Sequence, residues 1–382
     1  MTLRQRPAMY AYAVIVGLGC SMLAGASEAR ELIYASAIPA KHPTHVYGLD
    51  PYFEAVTKAT GGSLTFKTYP GGTLAGGKAT LNAIKNGTAD MGLLADVYTP
   101  NDLAVSALLS DMAALGKDAR VMTGAVNQTL QLDCAACKQD YVRHKVLPLA
   151  SYSLTPYHFL CTAPGVKDVA DVKGRKIRGT GSMGQLVAAL GGTPVNITSA
   201  EIYEALQRGQ ADCTLGPIPW LRSYSLWDMV TFVTKSSVGT YHGTNFINVR
   251  TDTWKKLSKK EKQAMMQNLA HATRMIAEAY EKDDDVVRVE AMKKGVNFVD
   301  STPALNDAVA KFRDTDIKRV ISIAKSRGVK DPEPIVDTLI KNVASWTKIV
   351  NDIGPGEWTT EAQWDKYEAA LKSNVFDKVK NP

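Results

Sequence analysis

Extended and helical runs alternate twice along this chain, and that alternation restricts the fold more than any other feature. Residues 31–37 alternate as a strand. Tyr47–Thr60 carries Leu49, Phe53 and Val56 at helical spacing and stops at Gly61-Gly62. Ser63–Tyr69 is β-rich, Pro70-Gly71-Gly72 is a turn, 77–86 reads as a helix ending at Gly87, and 91–94 is a short buried strand. The order recurs later. Strands are expected at 145–152, 158–162, 176–179, 194–196 and 211–215, with helices at 168–173, 181–190 and 199–208, the last capped by Ser199. Such alternation builds α/β units in which helices cover a sheet.

Two more strands are expected at 230–234 and 241–249. A long, mostly helical segment follows over 252–294, with Leu257, Met265, Leu269, Ala272, Ile276 and Ala279 in helical period. Asp283-Asp284-Asp285 reads as a solvated face. Further helices are expected at 303–327, 333–353 and 360–371.

The chain has 382 residues, enough for two or three domains, and a net charge of +7 with no basic block. A nucleic-acid footprint is therefore not indicated. Residues 1–29 read as an export signal: Arg4 and Arg6, an uncharged apolar run from Ala11 to Gly25, and small residues before a cleavage point after Ala29. The run is short for a membrane span. Leu18-Gly19-Cys20 resembles the end of a lipoprotein signal, but Gly17 stands where a larger aliphatic residue is usual, so cleavage is favoured over lipidation at Cys20. The mature chain is expected in the periplasm.

Two facing α/β units enclose a cleft, and ligands sit at the carboxyl ends of strands. No hydrolase, phosphate-binding, dinucleotide or metalloprotease motif is present. Arg178 ends a strand just before the turn Gly179–Gly184, where a guanidinium can grip a carboxylate with two parallel hydrogen bonds. The glycines let backbone approach a ligand or open a helix N-terminus. His42 and Tyr98 each follow a strand and are candidates for the opposite wall; His42 is equally readable as a helix cap. Thr214 and Trp220 are candidates beside Arg178.

Cys134 and Cys137 form a C-x-x-C after a predicted helix and before a polar turn. A structural disulfide or two plain thiols is favoured over thiol–disulfide redox chemistry, which needs the motif at a helix start. Cys161 and Cys213 fall on strands of the second unit and can pair if those strands are neighbours.

Several segments resemble the solute-binding proteins of tripartite ATP-independent periplasmic (TRAP) transporters, of the DctP type. They are Ala37–Phe53, Tyr69-Pro70-Gly71-Gly72-Thr73-Leu74, Ile84–Met91, Asp171–Arg178 through Val195, Glu201–Asp212, and Asn248–Leu257. The resemblance implies a two-lobed periplasmic binding fold with a central cleft, a long helix shared between lobes and a helical C-terminal extension. It implies no enzyme and no cofactor, a small organic acid as ligand, and a membrane permease as partner. Arg178 matches the family's carboxylate clamp. Where dicarboxylate- and sialate-binding members carry a second Arg, Ser153–His158 has none. Their Asn corresponds to Gly216, and a stacking aromatic to Ser199. Both changes open space, so a monocarboxylate is favoured, with His158 as the stand-in cation if the ligand is a diacid.

The expected layout is a leader over 1–29, lobe I over 30–150 plus about 239–270, and lobe II over 151–238 plus about 271–382, carrying the C-terminal helices. A monomer is expected. The rival functions are an exported redox protein using Cys134 and Cys137, and a ligand sensor for a membrane receptor.

Overall fold

The computed structural model describes residues 2 and 29–380. The predicted leader, Cys20 included, lies outside the described residues apart from Thr2 and Ala29. Among the described residues no helix is long and apolar enough to cross a membrane.

The strands are β1 (Arg30–Ala35), β2 (Leu64–Tyr69), β3 (Met91–Ala95), β4 (Val146–Tyr152), β5 (His158–Cys161), β6 (Lys176–Arg178), β7 (Thr193–Val195), β8 (Cys213–Gly216), β9 (Phe232–Thr234), β10 (Thr244–Arg250) and β11 (Asn297–Val299). They form two sheets, ordered β2-β1-β3-β10-β4 and β11-β9-β5-β8-β6-β7. β1 runs parallel to β2 and β3, because a helix crosses back between each pair. All seven residues of β4 are buried, as expected for a strand covered on both faces.

The chain leaves the first sheet after Tyr152 and returns at Thr244. β10 then runs antiparallel between β3 and β4. The second exit is the helix Leu269–Lys293, which leads into β11 of the second sheet. That short edge strand was not expected; its three residues give too little alternation to read.

The predicted helical segment 252–294 is three helices, Thr251–Lys256, Lys259–Gln267 and Leu269–Lys293. Ser258 causes the first break: its side chain accepts the Glu261 N–H while the Glu261 carboxylate accepts the Ser258 N–H, a capping box that restarts the helix. Similarly, Thr198 rather than Ser199 caps the turn before the helix Ile202–Gln207, with Glu201 closing the box.

The last two helices, Glu333–Ile353 and Glu361–Asn374, lie against the first lobe, not the second where they were expected. Trp346 covers Gly124 of the helix Ala119–Gln128 so closely that a Cβ there would stand 2.1 Å from the indole. Trp346 Nε1 donates to Gln128 Oε1 at 2.9 Å, the Tyr367 hydroxyl donates to the Arg120 carbonyl at 2.7 Å, and the Arg120 guanidinium lies 4.4 Å from the Trp358 ring centre. An apolar helix face announces burial but not its partner. Helix Pro303–Ser326 touches both lobes, through Thr302 to Asp168 and through Arg313 to the Ala114 carbonyl.

The aspartate run is also not simply solvated. Asp283 is buried and pairs with Arg222 at 2.6 Å, and Asp284 accepts from Thr155 Oγ1 at 2.8 Å; only Asp285 is exposed.

Both cysteine pairs are disulfides. Cys161 and Cys213 face each other in register across β5 and β8. Cys134 caps the helix Ala135–Val142, so the motif does stand at a helix start, contrary to expectation. Cys137 is fully buried and Cys134 nearly so, which shields both sulfurs from a partner thiol.

Candidate ligand-binding cleft

β6 lies between β8 and β7, and its last residue is Arg178. The strand therefore delivers a guanidinium to its carboxyl end, where the second sheet faces the first lobe. Arg178 is 2% exposed. Its Nε donates to the Ile197 carbonyl at 3.1 Å and its Nη2 to the Tyr98 hydroxyl at 3.3 Å. Its Cζ is 5.6 Å from the Trp220 ring centre. Among the described residues no carboxylate forms an ion pair with it.

Tyr98 comes from the first lobe, three residues beyond β3. Its oxygen also accepts the Ser199 N–H at 2.9 Å, and Ser199 Oγ accepts from the Tyr224 hydroxyl at 3.0 Å. Gly77 gives the Tyr98 ring room, since a Cβ there would stand 2.9 Å from it. Arg178, Tyr98, Ser199 and Trp220 thus meet at one point between the lobes. Beside them is a small pocket lined by Ile38, Leu93, Tyr98, Tyr152, Ser199 and Tyr241 among others.

The other candidates lie differently. Thr214 is in register with Arg178 across β8 and β6, but its buried hydroxyl donates to the Leu215 carbonyl. Gly216 does not open ligand space. A Cβ there would stand 2.5 Å from the Trp220 ring, so the indole occupies the room that the missing side chain leaves. Ser199 lines that pocket, but Tyr224 and Tyr98 close on it and take up much of the room its small side chain leaves.

His42 sits behind the cleft wall, 1% exposed. Its Nδ1 accepts the Thr44 N–H at 3.3 Å, and its Nε2 meets the Tyr280 hydroxyl at 3.0 Å. Burial holds its pKa down to about 3, so the ring is neutral. His158 is not a second cation. Its Nδ1 bonds the Thr234 carbonyl at 3.2 Å, and burial, helped by Arg288, lowers its pKa to about 4. The Gly179–Gly184 turn serves close packing of protein on protein: a Cβ on Gly179 would stand 2.9 Å from the Gly184 nitrogen, and one on Gly181 would stand 2.8 Å from Val97 of the opposite lobe.

Aromatic residues missed in the sequence complete the site. Tyr157 and Tyr224 pack on Trp220 with ring centres 5.5 and 5.4 Å away, and Tyr152 stacks on Tyr280 at 5.9 Å. Tyr152 and Tyr157 bracket the stretch where the chain crosses between lobes, a position that could have flagged them. Tyr280 is indistinguishable from core in a helical pattern.

The DctP family, described as bacterial extracellular solute-binding protein, family 7, matches residues 34–321. The chain belongs to this family. A solute-binding protein of Roseobacter denitrificans is 24% identical over 269 residues, 68% of this chain and 78% of that protein. A TRAP periplasmic solute-binding protein from Bordetella bronchiseptica, solved with (R)- and (S)-mandelate bound, superposes with a TM-score of 0.72 at 24% identity, covering 83% of this chain and 99% of that one. A TRAP solute-binding protein from Rhodoferax ferrireducens, solved with copurified benzoate, gives 0.75 at 18% identity, covering 84% and 99%. The two-lobed architecture of this chain is that of TRAP solute-binding proteins, and as a DctP member it is a solute receptor.

Proposed function

We propose that this chain captures an organic acid with one carboxylate between its lobes, holds it through Arg178, and delivers it chemically unchanged to the membrane permease of a TRAP transporter. The leader is removed on export and the mature chain works in the periplasm as a monomer, without a cofactor. One observation carries the proposal: Arg178 is a buried guanidinium that, among the described residues, forms no ion pair with a carboxylate. A charge left unpaired in the interior costs several kcal/mol. An anionic ligand supplies the missing partner, and excluding water strengthens their attraction. The surroundings favour a single carboxylate. His158 is held neutral, and Arg222 is engaged by Asp283 and Glu290. The Bordetella and Rhodoferax proteins hold mandelate and benzoate, which each carry one carboxylate.

Calorimetric titration of the ligand-free mature protein with mono- and dicarboxylates tests the proposal. A monocarboxylate should bind, and Arg178→Ala should weaken it by about 100-fold or more, corresponding to roughly 3 kcal/mol. Arg178→Lys should recover only part, because an ammonium lacks the two-pronged geometry. Undiminished binding by Arg178→Ala would show that the carboxylate sits elsewhere.

A further inference from the structure

We infer that the ligand's carboxylate takes the seat that the Tyr98 oxygen holds in this structure, with one carboxylate oxygen between Nη2 of Arg178 and the backbone N–H of Ser199, and that Tyr98 is a plug the ligand must displace. The inference rests on the proposed carboxylate at Arg178 and adds a second donor and a built-in competitor.

The seat belongs wholly to the second lobe. Arg178 ends β6, and Ser199 follows β7, the neighbouring strand of that sheet. The two are tied together, because Arg178 Nε donates to the Ile197 carbonyl at 3.1 Å, just before Ser199 in the chain. That bond, with the Trp220 ring centre 5.6 Å from the guanidinium carbon, sets the plane of the guanidinium. Nη2 and the Ser199 N–H then converge on one oxygen, at 3.3 and 2.9 Å. A charged donor and a backbone N–H meeting at one point is an arrangement that suits a carboxylate oxygen. Among the described residues neither donor has another acceptor, and Nη1 has none, which leaves it for the carboxylate's second oxygen. Glu201 feels Arg178 through space but forms no ion pair with it; its carboxylate is held by the Thr198 N–H and hydroxyl at 2.7 and 2.6 Å.

The oxygen now in the seat comes from the first lobe. Tyr98 ends the short turn Asp96–Tyr98 after β3, is half-buried, and lines the cleft pocket. A neutral phenol is the weaker partner for a guanidinium, since hydrogen bonds to an ionised acceptor are roughly twice as strong. It also departs with its own lobe when the lobes part, whereas both donors stay together. The closed, ligand-free form is therefore filled by its own tyrosine, and the carboxylate enters the open form. Apparent affinity falls in proportion to the fraction of molecules that are open.

The test is calorimetry of the mature protein with acetate, isovalerate and benzoate. Tyr98→Phe keeps the ring and removes the oxygen. It should bind each acid that wild type binds about threefold or more tighter, the reverse of what loss of an ordinary ligand contact does. Ser199→Pro removes the N–H, and the extended backbone of Thr198 before it accommodates a proline. It should bind about tenfold or more weaker than Ser199→Ala, which keeps the N–H. Should the proline variant fold poorly, wild type labelled with nitrogen-15 serine gives a second readout. The amide resonance that is missing in Ser199→Ala should move downfield when acid is added. Binding by Tyr98→Phe that is equal or weaker would overturn the plug. Equal binding by the two Ser199 variants, or an amide resonance that stays in place, would overturn the seat. Binding of no acid, or undiminished binding by Arg178→Ala, would instead remove the proposed function on which both rest.

Discussion

The Tyr98 hydroxyl, carried by the first lobe, receives a hydrogen bond from Arg178 of the second at 3.3 Å. The same oxygen takes the Ser199 N–H at 2.9 Å. Two donors from one lobe converge on one oxygen of the other, so the phenol fastens the lobes together. Each such bond contributes about 0.5–1.5 kcal/mol, and more where the donor is charged. Tyr98→Phe removes the acceptor and keeps the ring. The ligand-free variant is predicted to populate a more open form, seen as a larger radius of gyration in solution scattering. Scattering identical to wild type would mean that other contacts hold the lobes closed.

Gly216 and Trp220 show how little room remains beside the guanidinium. A Cβ on Gly216 would stand 2.5 Å from Trp220 Cε3. The indole is wedged between Tyr157 and Tyr224 and cannot retreat freely. Gly216→Ala is predicted to cost about 1–3 kcal/mol in stability, the usual range for overpacking. It should also weaken ligand binding, because the displaced ring is the one facing Arg178. Chemical denaturation and a titration check the two effects; a fully stable variant with unchanged affinity refutes this account of the glycine.

These examples separate what local sequence encodes from what it does not. Arg178 was legible because a strand ending in a cation before a glycine turn fixes where the guanidinium goes. Cys161 and Cys213 were legible as strand residues, although only the β5–β8 register pairs them. Gly216 and Ser199 misled because a missing side chain reads as space for a ligand, whereas Trp220, four residues beyond Gly216, and Tyr224, 25 residues from Ser199, move into it. Asp283 looked like part of a solvated run because Arg222, its partner, lies on another element. The tail was assigned to the wrong lobe for the same reason: Trp346 matches Gly124 only in three dimensions.

That match can be tested directly. Gly124 sits under Trp346, where a Cβ would stand 2.1 Å from indole carbon and the ring is itself fully buried. Gly124→Ala is predicted to lift helix Glu333–Ile353 off the first lobe, at about 1–3 kcal/mol or more. Limited proteolysis should cut the variant first in the linker 354–360, leaving the body of the fold intact. A protease pattern unchanged from wild type argues that the helix is held by contacts other than Trp346.

Asp284 connects the long helix to the segment between β4 and β5 that crosses between the lobes, through its bond from Thr155. Burial, reinforced by the charges of Glu281 and Asp285, raises its pKa to about 7, with Thr155 and Arg288 opposing. An unfolded aspartate titrates near pH 4. Between those two values the folded chain holds a proton that the unfolded chain has lost. Its contribution therefore makes stability fall as pH rises from about 4 to about 7, with no further change above. His42 and His158 act with the opposite sign. Neutral when folded and charged when unfolded, they raise stability as pH climbs from about 3–4 toward the ordinary histidine value of about 6.5. The wild-type profile mixes these slopes, but a difference between two chains sharing both histidines cancels the second. Asp284→Asn keeps an oxygen for Thr155 and cannot ionise. Its melting temperature minus that of wild type is predicted to rise between pH 5 and pH 8. A difference constant over that range would show that Asp284 ionises as freely when folded as when unfolded.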